Sequence, residues 1–177
     1  MKLRPARTMR YIHSQAWSRY SVKKPRKNYV KALPHTSLLV FRMGIENGNY
    51  DSIYKLVPDQ YIQLRSNALE SARLVANKHL ERKIPGQYFF RIVTYPHIVI
   101  REKKRATGAG ADRASQGMSL SFGRPVSVAA RVRRGNPILE IRVDNKNRII
   151  AKEALRRAAS KLSGSYSIQL TPLEKKQ

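Results

Sequence analysis

Two stretches of helical periodicity lie among seven short runs of β-branched and aromatic residues, and that order constrains the fold most. Between Ser66 and Arg82, Leu69, Ala72, Ala76 and Leu80 recur on one helical face, with Val75 beside them. Ser66 or Asn67 is the expected cap, and Asn67 with Glu70 three residues on has loose capping-box spacing. Pro85-Gly86 ends this helix. A second helix is predicted from Arg148 to Leu162, burying Ile150, Ala154, Leu155 and Ala158, with Gly164 as a C′ residue. Strands are predicted at Leu38–Met43, Ile53–Val57, Tyr88–Val93, His97–Arg101, Val126–Val132, Ile138–Val143 and Tyr166–Leu170. Tyr95-Pro96 marks a kink or tight turn between two of them, and Gly135-Asn136-Pro137 reads as a hairpin turn between two others. The expectation is an α+β fold, an antiparallel or mixed sheet with both helices on one face.

Two segments escape this pattern. Residues 1–37 hold ten basic residues and no acid, with Tyr11, Trp17, Tyr20 and Tyr29 spread among them. Cations neutralise phosphates while aromatic faces stack on unpaired bases, so the segment reads as an RNA-binding arm rather than a merely solvated tail. Residues 102–123 have no apolar periodicity, contain Gly108, Gly110, Gly117 and Gly123, and have basic residues at their head. A loop of this length inside a compact domain is usually functional or disordered. The expected division is an arm at 1–37, a single α+β domain at 38–171 carrying the loop, and a short tail at 172–177.

Charge narrows the partners. Thirty-six Lys and Arg against eleven Asp and Glu leave a formal charge of +25 on 177 residues. A compact body so charged repels itself, which points to a polyanion as its normal surroundings. Nucleic acid is favoured over a membrane, because no basic amphipathic helix of interfacial type is seen. No apolar run approaches the ~20 residues that span a bilayer. Residues 1–45 lack acids, as transit peptides do, but Pro5, Pro25 and Pro34 interrupt any amphipathic helix there. The chain has no Cys, so thiolate metal sites, disulfides and Cys nucleophiles are excluded.

Signs of catalysis are lacking. His13, His35, His79 and His97 stand in no metal-ligand spacing; His79 reads as a polar helix residue and His97 as structural. Gly108-Ala109-Gly110 is not a dinucleotide fingerprint, because the third glycine position is Arg113. No carboxylate pair stands out for acid–base chemistry, and Asp112 reads as an ion-pair partner of Arg113. The glycine-rich basic loop has another use. Gly108 and Gly110 let the backbone approach a phosphate or sugar, while Arg101, Lys103, Lys104, Arg105 and Arg113 supply charge. A nucleic-acid contact is favoured over a mobile hairpin tip.

The loop also carries a resemblance. It contains Gly108-Ala109-Gly110-Ala111-Asp112-Arg113, Gln116-Gly117-Met118 and Phe122-Gly123-Arg124-Pro125. With Arg4-Pro5-Ala6-Arg7, Arg10-Tyr11, Glu70-Ser71-Ala72-Arg73, Ala76-Asn77-Lys78 and Glu153-Ala154-Leu155-Arg156-Arg157-Ala158, it resembles the archaeal and eukaryotic large-subunit ribosomal protein L-ten-e (QM) family, counterpart of bacterial L-sixteen. The eukaryotic C-terminal extension and cysteines are missing, which favours the archaeal branch. The resemblance implies an α/β-hammerhead-like sandwich and a cytoplasmic, structural constituent of the large ribosomal subunit. It implies rRNA bound below the central protuberance, and a role in late subunit maturation. The arm would thread into rRNA through Arg4, Arg7, Arg10, Trp17, Arg19, Lys23, Lys24, Arg26 and Lys27. The loop would face A- and P-site tRNA near the peptidyl-transferase centre with Arg101, Lys103, Lys104, Arg105, Gly108, Gly110, Arg113 and Gln116. Neighbouring ribosomal proteins are the other implied partners; no enzyme activity, cofactor, metal or small-molecule substrate is implied. The alternative is a non-ribosomal DNA-compacting or transcription protein, whose recognition helix would present Arg65, Arg73, Lys78 and Arg82. The aromatic-interleaved arm favours RNA over duplex DNA.

Overall fold

In a computed structural model of the chain, residues 20, 23–103 and 122–173 are described. After a 3-10 turn at Pro25–Lys27 come β1 (Arg42–Gly44), β2 (Ser52–Pro58), β3 (Ile62–Arg65), α1 (Ser66–Lys83), β4 (Phe89–Ile92), β5 (Ile98–Glu102), β6 (Arg124–Val132), β7 (Leu139–Val143), a second 3-10 turn (Asn145–Asn147), α2 (Arg148–Ala159) and β8 (Tyr166–Pro172). The architecture is α+β with every strand pair antiparallel.

The expected single sheet is corrected to two. A five-stranded sheet runs β1-β4-β7-β2-β8, and a three-stranded sheet runs β3-β6-β5. The chain passes from one sheet to the other after β2, after β3 through α1, after β4 and after β6. Gly135-Asn136-Pro137 is therefore a crossover and not a hairpin, since β6 and β7 belong to different sheets. Its backbone explains why. Gly135 N–H donates to Pro58 O, and Ile138 N–H donates to Leu56 O at 2.8 Å, which seats the segment on the end of β2 rather than on β6. The break at Tyr95-Pro96 does separate two strands, and these also lie in different sheets. Val93 N–H donates to Ile138 O at 2.9 Å, so this crossover lies against the one after β6.

Local expectations need smaller corrections. β3 was hidden because its four residues abut the helix and its buried Gln63 breaks the apolar run. The strand expected from Leu38 begins at Arg42. Leu38 is instead an isolated anchor, fully buried beside an exposed Leu39. Arg65, not Ser66 or Asn67, occupies the N-cap of α1, with no side-chain cap hydrogen bond. The capping box fails because the Glu70 carboxylate is held by Arg73 Nε at 2.9 Å. α2 ends at Ala159, and Lys161 and Leu162 continue it only as i→i−3 turns. Ala151 fills the core position expected of Ile150, which is only half-buried.

One core joins the layers. Tyr54, Leu56, Phe90, Leu139 and Ile141 from the larger sheet meet Ile62, Leu64, Ala130 and Val132 from the smaller. Leu69, Ala72, Ala76 and Leu80 of α1 and Ala151, Ala154, Leu155 and Ala158 of α2 belong to the same cluster. The helices pack on each other; α1 meets β3 and β6, and α2 meets β2, β7 and β8. Each fully buried Leu or Phe contributes about 1.5–3 kcal/mol through area removed from water. The alanines let the helices approach closely. On the opposite face of the larger sheet, Lys55, Glu140 and Arg91 stand in register across β2, β7 and β4. Arg91 Nη2 donates to Glu140 Oε2 at 2.7 Å, giving the buried carboxylate its partner.

Candidate nucleic-acid interface

The end of the arm and the root of the loop meet at Arg101. Arg101 lies near the end of β5, where the pairing with β6 slips by one residue: Ile100 opposes Ser127, but Arg101 opposes Pro125. A bulge of this kind turns a side chain away from the regular alternation. β3 pairs only with Ala129–Val132, so at Pro125 β6 is paired on its β5 side alone. The turned guanidinium reaches two carbonyls: Nη1 donates to Gly123 O at 3.1 Å, and Nη2 donates to Tyr29 O. Gly123 has φ +98°, a conformation glycine adopts without steric cost, which bends the returning chain toward Arg101.

Around this brace the surface is open, cationic and aromatic. A groove of about 540 Å³ lies between residues 29–34 on one side and Arg101 with Pro125 on the other. Val30 is buried, so the segment is docked on the body. Tyr20 and Tyr29 present part of their rings to solvent. The 3-10 turn upstream carries Lys23, Lys24, Arg26 and Lys27, all exposed. Lys27 N–H donates to Lys24 O and Asn28 N–H to Pro25 O, both at 3.1 Å, which clusters the four cations within one turn. At the loop root, Lys103 Nζ sits 5.4 Å from the Phe122 ring centre, and that ring is 53% exposed. Cation–π geometry holds charge and aromatic face together, the two features a stacked base with its phosphate uses.

Among the expected site residues, Lys23, Lys24, Arg26, Lys27, Arg101 and Lys103 are thus placed, and Arg101 lines the same groove as residues 29–34. Arg4, Arg7, Arg10, Trp17 and Arg19 of the arm lie outside the described residues, as do Lys104, Arg105, Gly108, Gly110, Arg113 and Gln116 of the loop. Phe122 belongs to a quoted motif but was not expected as a contact residue. Its signal was an aromatic next to a glycine at the far end of a basic loop, matching Lys103 at the near end.

The carboxylates have structural uses. Glu46 pairs with Arg42, Glu70 with Arg73, Glu140 with Arg91, and Glu153 with Arg156 and Arg157. Among the described residues no group of His, Asp and Glu could hold a metal ion. His97 is exposed, with Nδ1 3.0 Å from Tyr95 O. His79 faces α2; burial, with Arg157, Lys83 and Arg82 nearby, pushes its pKa below the usual imidazole value. No helix among the described residues is long and apolar enough to cross a membrane.

Comparison with known proteins gives this basic surface its context. The family model described as ribosomal protein L16p/L10e matches residues 17–169. A large ribosomal subunit protein uL16 of Hyperthermus butylicus is 43% identical over 175 residues, covering 98% of this chain and 96% of its own. The uL16 of Methanococcus aeolicus is 45% identical over 163 residues, with 92% and 90% covered. That of Sulfolobus acidocaldarius is 39% identical over 178 residues, with 99% and 97% covered. With agreement along nearly the whole length of each relative, this chain belongs to the ribosomal protein L16p/L10e family.

Proposed function

We propose that the protein is a structural constituent of the large ribosomal subunit that binds rRNA and has no catalytic role in translation. The observation that carries this is the near-full-length identity to archaeal large-subunit proteins. The +25 charge and the convergence of arm and loop roots on Arg101 support it. Phosphate contacts from such a surface position the protein without reading sequence.

The finer reading is that residues 1–37 bind rRNA and residues 102–123 face A- and P-site tRNA. Support comes from the loop motifs, from the four clustered cations at Lys23–Lys27, and from Lys103 over Phe122 at the loop root. The chain is then of the L-ten-e type, cytoplasmic within the subunit, and bounded by neighbouring ribosomal proteins. Its body, residues 38–171, is the hammerhead-like sandwich, a reading supported by two antiparallel sheets sharing one core with a helix pair.

Binding of the full chain to large-subunit rRNA, titrated with salt, tests the reading. The logarithm of the affinity is expected to fall linearly with the logarithm of salt, by about 0.7–0.9 per phosphate contacted. Equal affinity for duplex DNA of the same length would overturn it and favour a DNA-compacting protein.

A further inference from the structure

The interface described so far draws on the arm and the loop alone, yet a third cationic surface lies on α2. Arg148, Lys152 and Arg156 recur every fourth residue and are exposed. Four residues advance a helix by about 6 Å, so the three form a row roughly 12 Å long. Ala151, Ala154, Leu155 and Ala158 bury the adjoining face of α2 in the core, and the row runs along the exposed flank beside it. Ile149 stands beside it, 73% exposed.

Ion pairing sets Arg148 and Lys152 apart from Arg42, Arg73, Arg91 and Arg157. Arg73, Arg91 and Arg42 each have a carboxylate partner at 3.0 Å or less. Arg157, on the flank of α2 that faces α1, donates from Nε to Glu153 Oε1 at 2.9 Å. Among the described residues no carboxylate pairs with Arg148 or Lys152, and Arg156 touches Glu153 only at 3.5 Å with its side chain 79% exposed. Like charges four residues apart repel and weaken the helix that carries them. An anion bound along the row removes that repulsion. The step between neighbouring cations is comparable to the through-space separation of successive phosphates on a nucleic-acid strand.

We propose that the outer face of α2 is a separate rRNA contact, in which Arg148, Lys152 and Arg156 bind successive phosphates of one strand and Ile149 packs on the adjoining sugar. This rests on the rRNA-binding reading above and extends it to residues outside the arm and the loop.

The test uses the full chain carrying Arg148→Ala, Lys152→Ala and Arg156→Ala together, with Arg42→Ala as control, titrated with salt against large-subunit rRNA. Three lost phosphate contacts should reduce the salt slope by about 2–3, and the control should leave it unchanged. Alanine keeps the helix, so the urea midpoint should match the wild type or exceed it. In a second measurement, Lys152 should be shielded from a lysine-acylating reagent when rRNA is added. If the wild type itself shows no salt-dependent rRNA binding, the rRNA reading fails. If the wild type binds but the triple variant keeps its slope and Lys152 stays reactive, the α2 contact fails while the rRNA reading stands. Retained rRNA binding with loss of an acidic ribosomal protein from the assembled subunit would assign the face to a protein and also overturn the proposal.

Discussion

Arg101 joins two segments that are far apart in sequence, and removing its guanidinium should release one of them. Hydrogen bonds from a charged donor contribute about 1.5–3 kcal/mol each when water is excluded. The bond to Tyr29 O is at an exposed position and the bond to Gly123 O is half-buried, so the pair is discounted to about 2 kcal/mol together. Leu38 remains anchored in the core, so the loss falls on the docking of residues 29–34. Every 1.4 kcal/mol is tenfold in an equilibrium, so Arg101→Ala should raise the open population of this segment about 10- to 30-fold. Lys31 lies in that segment and is exposed, which makes limited trypsin digestion the assay. Where opening is fast relative to cleavage, the rate of cutting after Lys31 follows the open population. Arg101→Lys should fall between, since an ammonium lacks the planar fork that serves two carbonyls. Cleavage after Lys31 within twofold of wild type, in a folded Arg101→Ala protein, would refute the brace.

Three further outcomes follow from the packing. In a double-mutant cycle, Arg91→Ala and Glu140→Gln should show a coupling of about 1–2 kcal/mol by urea denaturation, and additive effects would deny the ion pair a stabilising role. Gly44 has φ +83°, and a Cβ there would lie 2.1 Å from Tyr88 O, so Gly44→Ala should destabilise by more than about 2 kcal/mol; a wild-type melting temperature would contradict this. His79 has its pKa lowered in the fold, so the unfolded chain binds the extra proton first as pH falls. The stability His79 contributes is full above its unfolded value of about 6.5 and is lost as pH drops through the folded value. The urea midpoint should therefore decline between pH 7.5 and 5.5, and His79→Gln should flatten that decline; an unchanged pH profile in the variant would exclude His79 as its source.

Both helices and most strand positions were legible because each buries a face with its own period, as with Leu69, Ala72, Ala76 and Leu80 in α1. Pairing was not legible. Turn residues such as Gly135-Asn136-Pro137 show that the chain bends, but the partner of β6 depends on Leu64 and Val99 far away in sequence. β3 was lost because Gln63 is a buried polar residue inside a four-residue strand. Charge and aromatic content mark Lys23–Lys27 and Lys103 as candidate contacts for a polyanion, since that signal is additive along the chain. The Arg101 brace was read only as a loop cation, because its carbonyl partners are backbone atoms with no signature in the sequence. The row on α2 did have a signature, three cations at four-residue spacing beside an alanine-rich face.

The most direct measurement is sedimentation of native cell lysate through a gradient at low and at high salt, probing for this chain. Co-migration with the large ribosomal subunit, persisting through a moderate salt wash, is the expected result for a protein held by rRNA through an arm, a loop root and a helix face. A chain that stays at the top of the gradient, or that follows DNA, would contradict it.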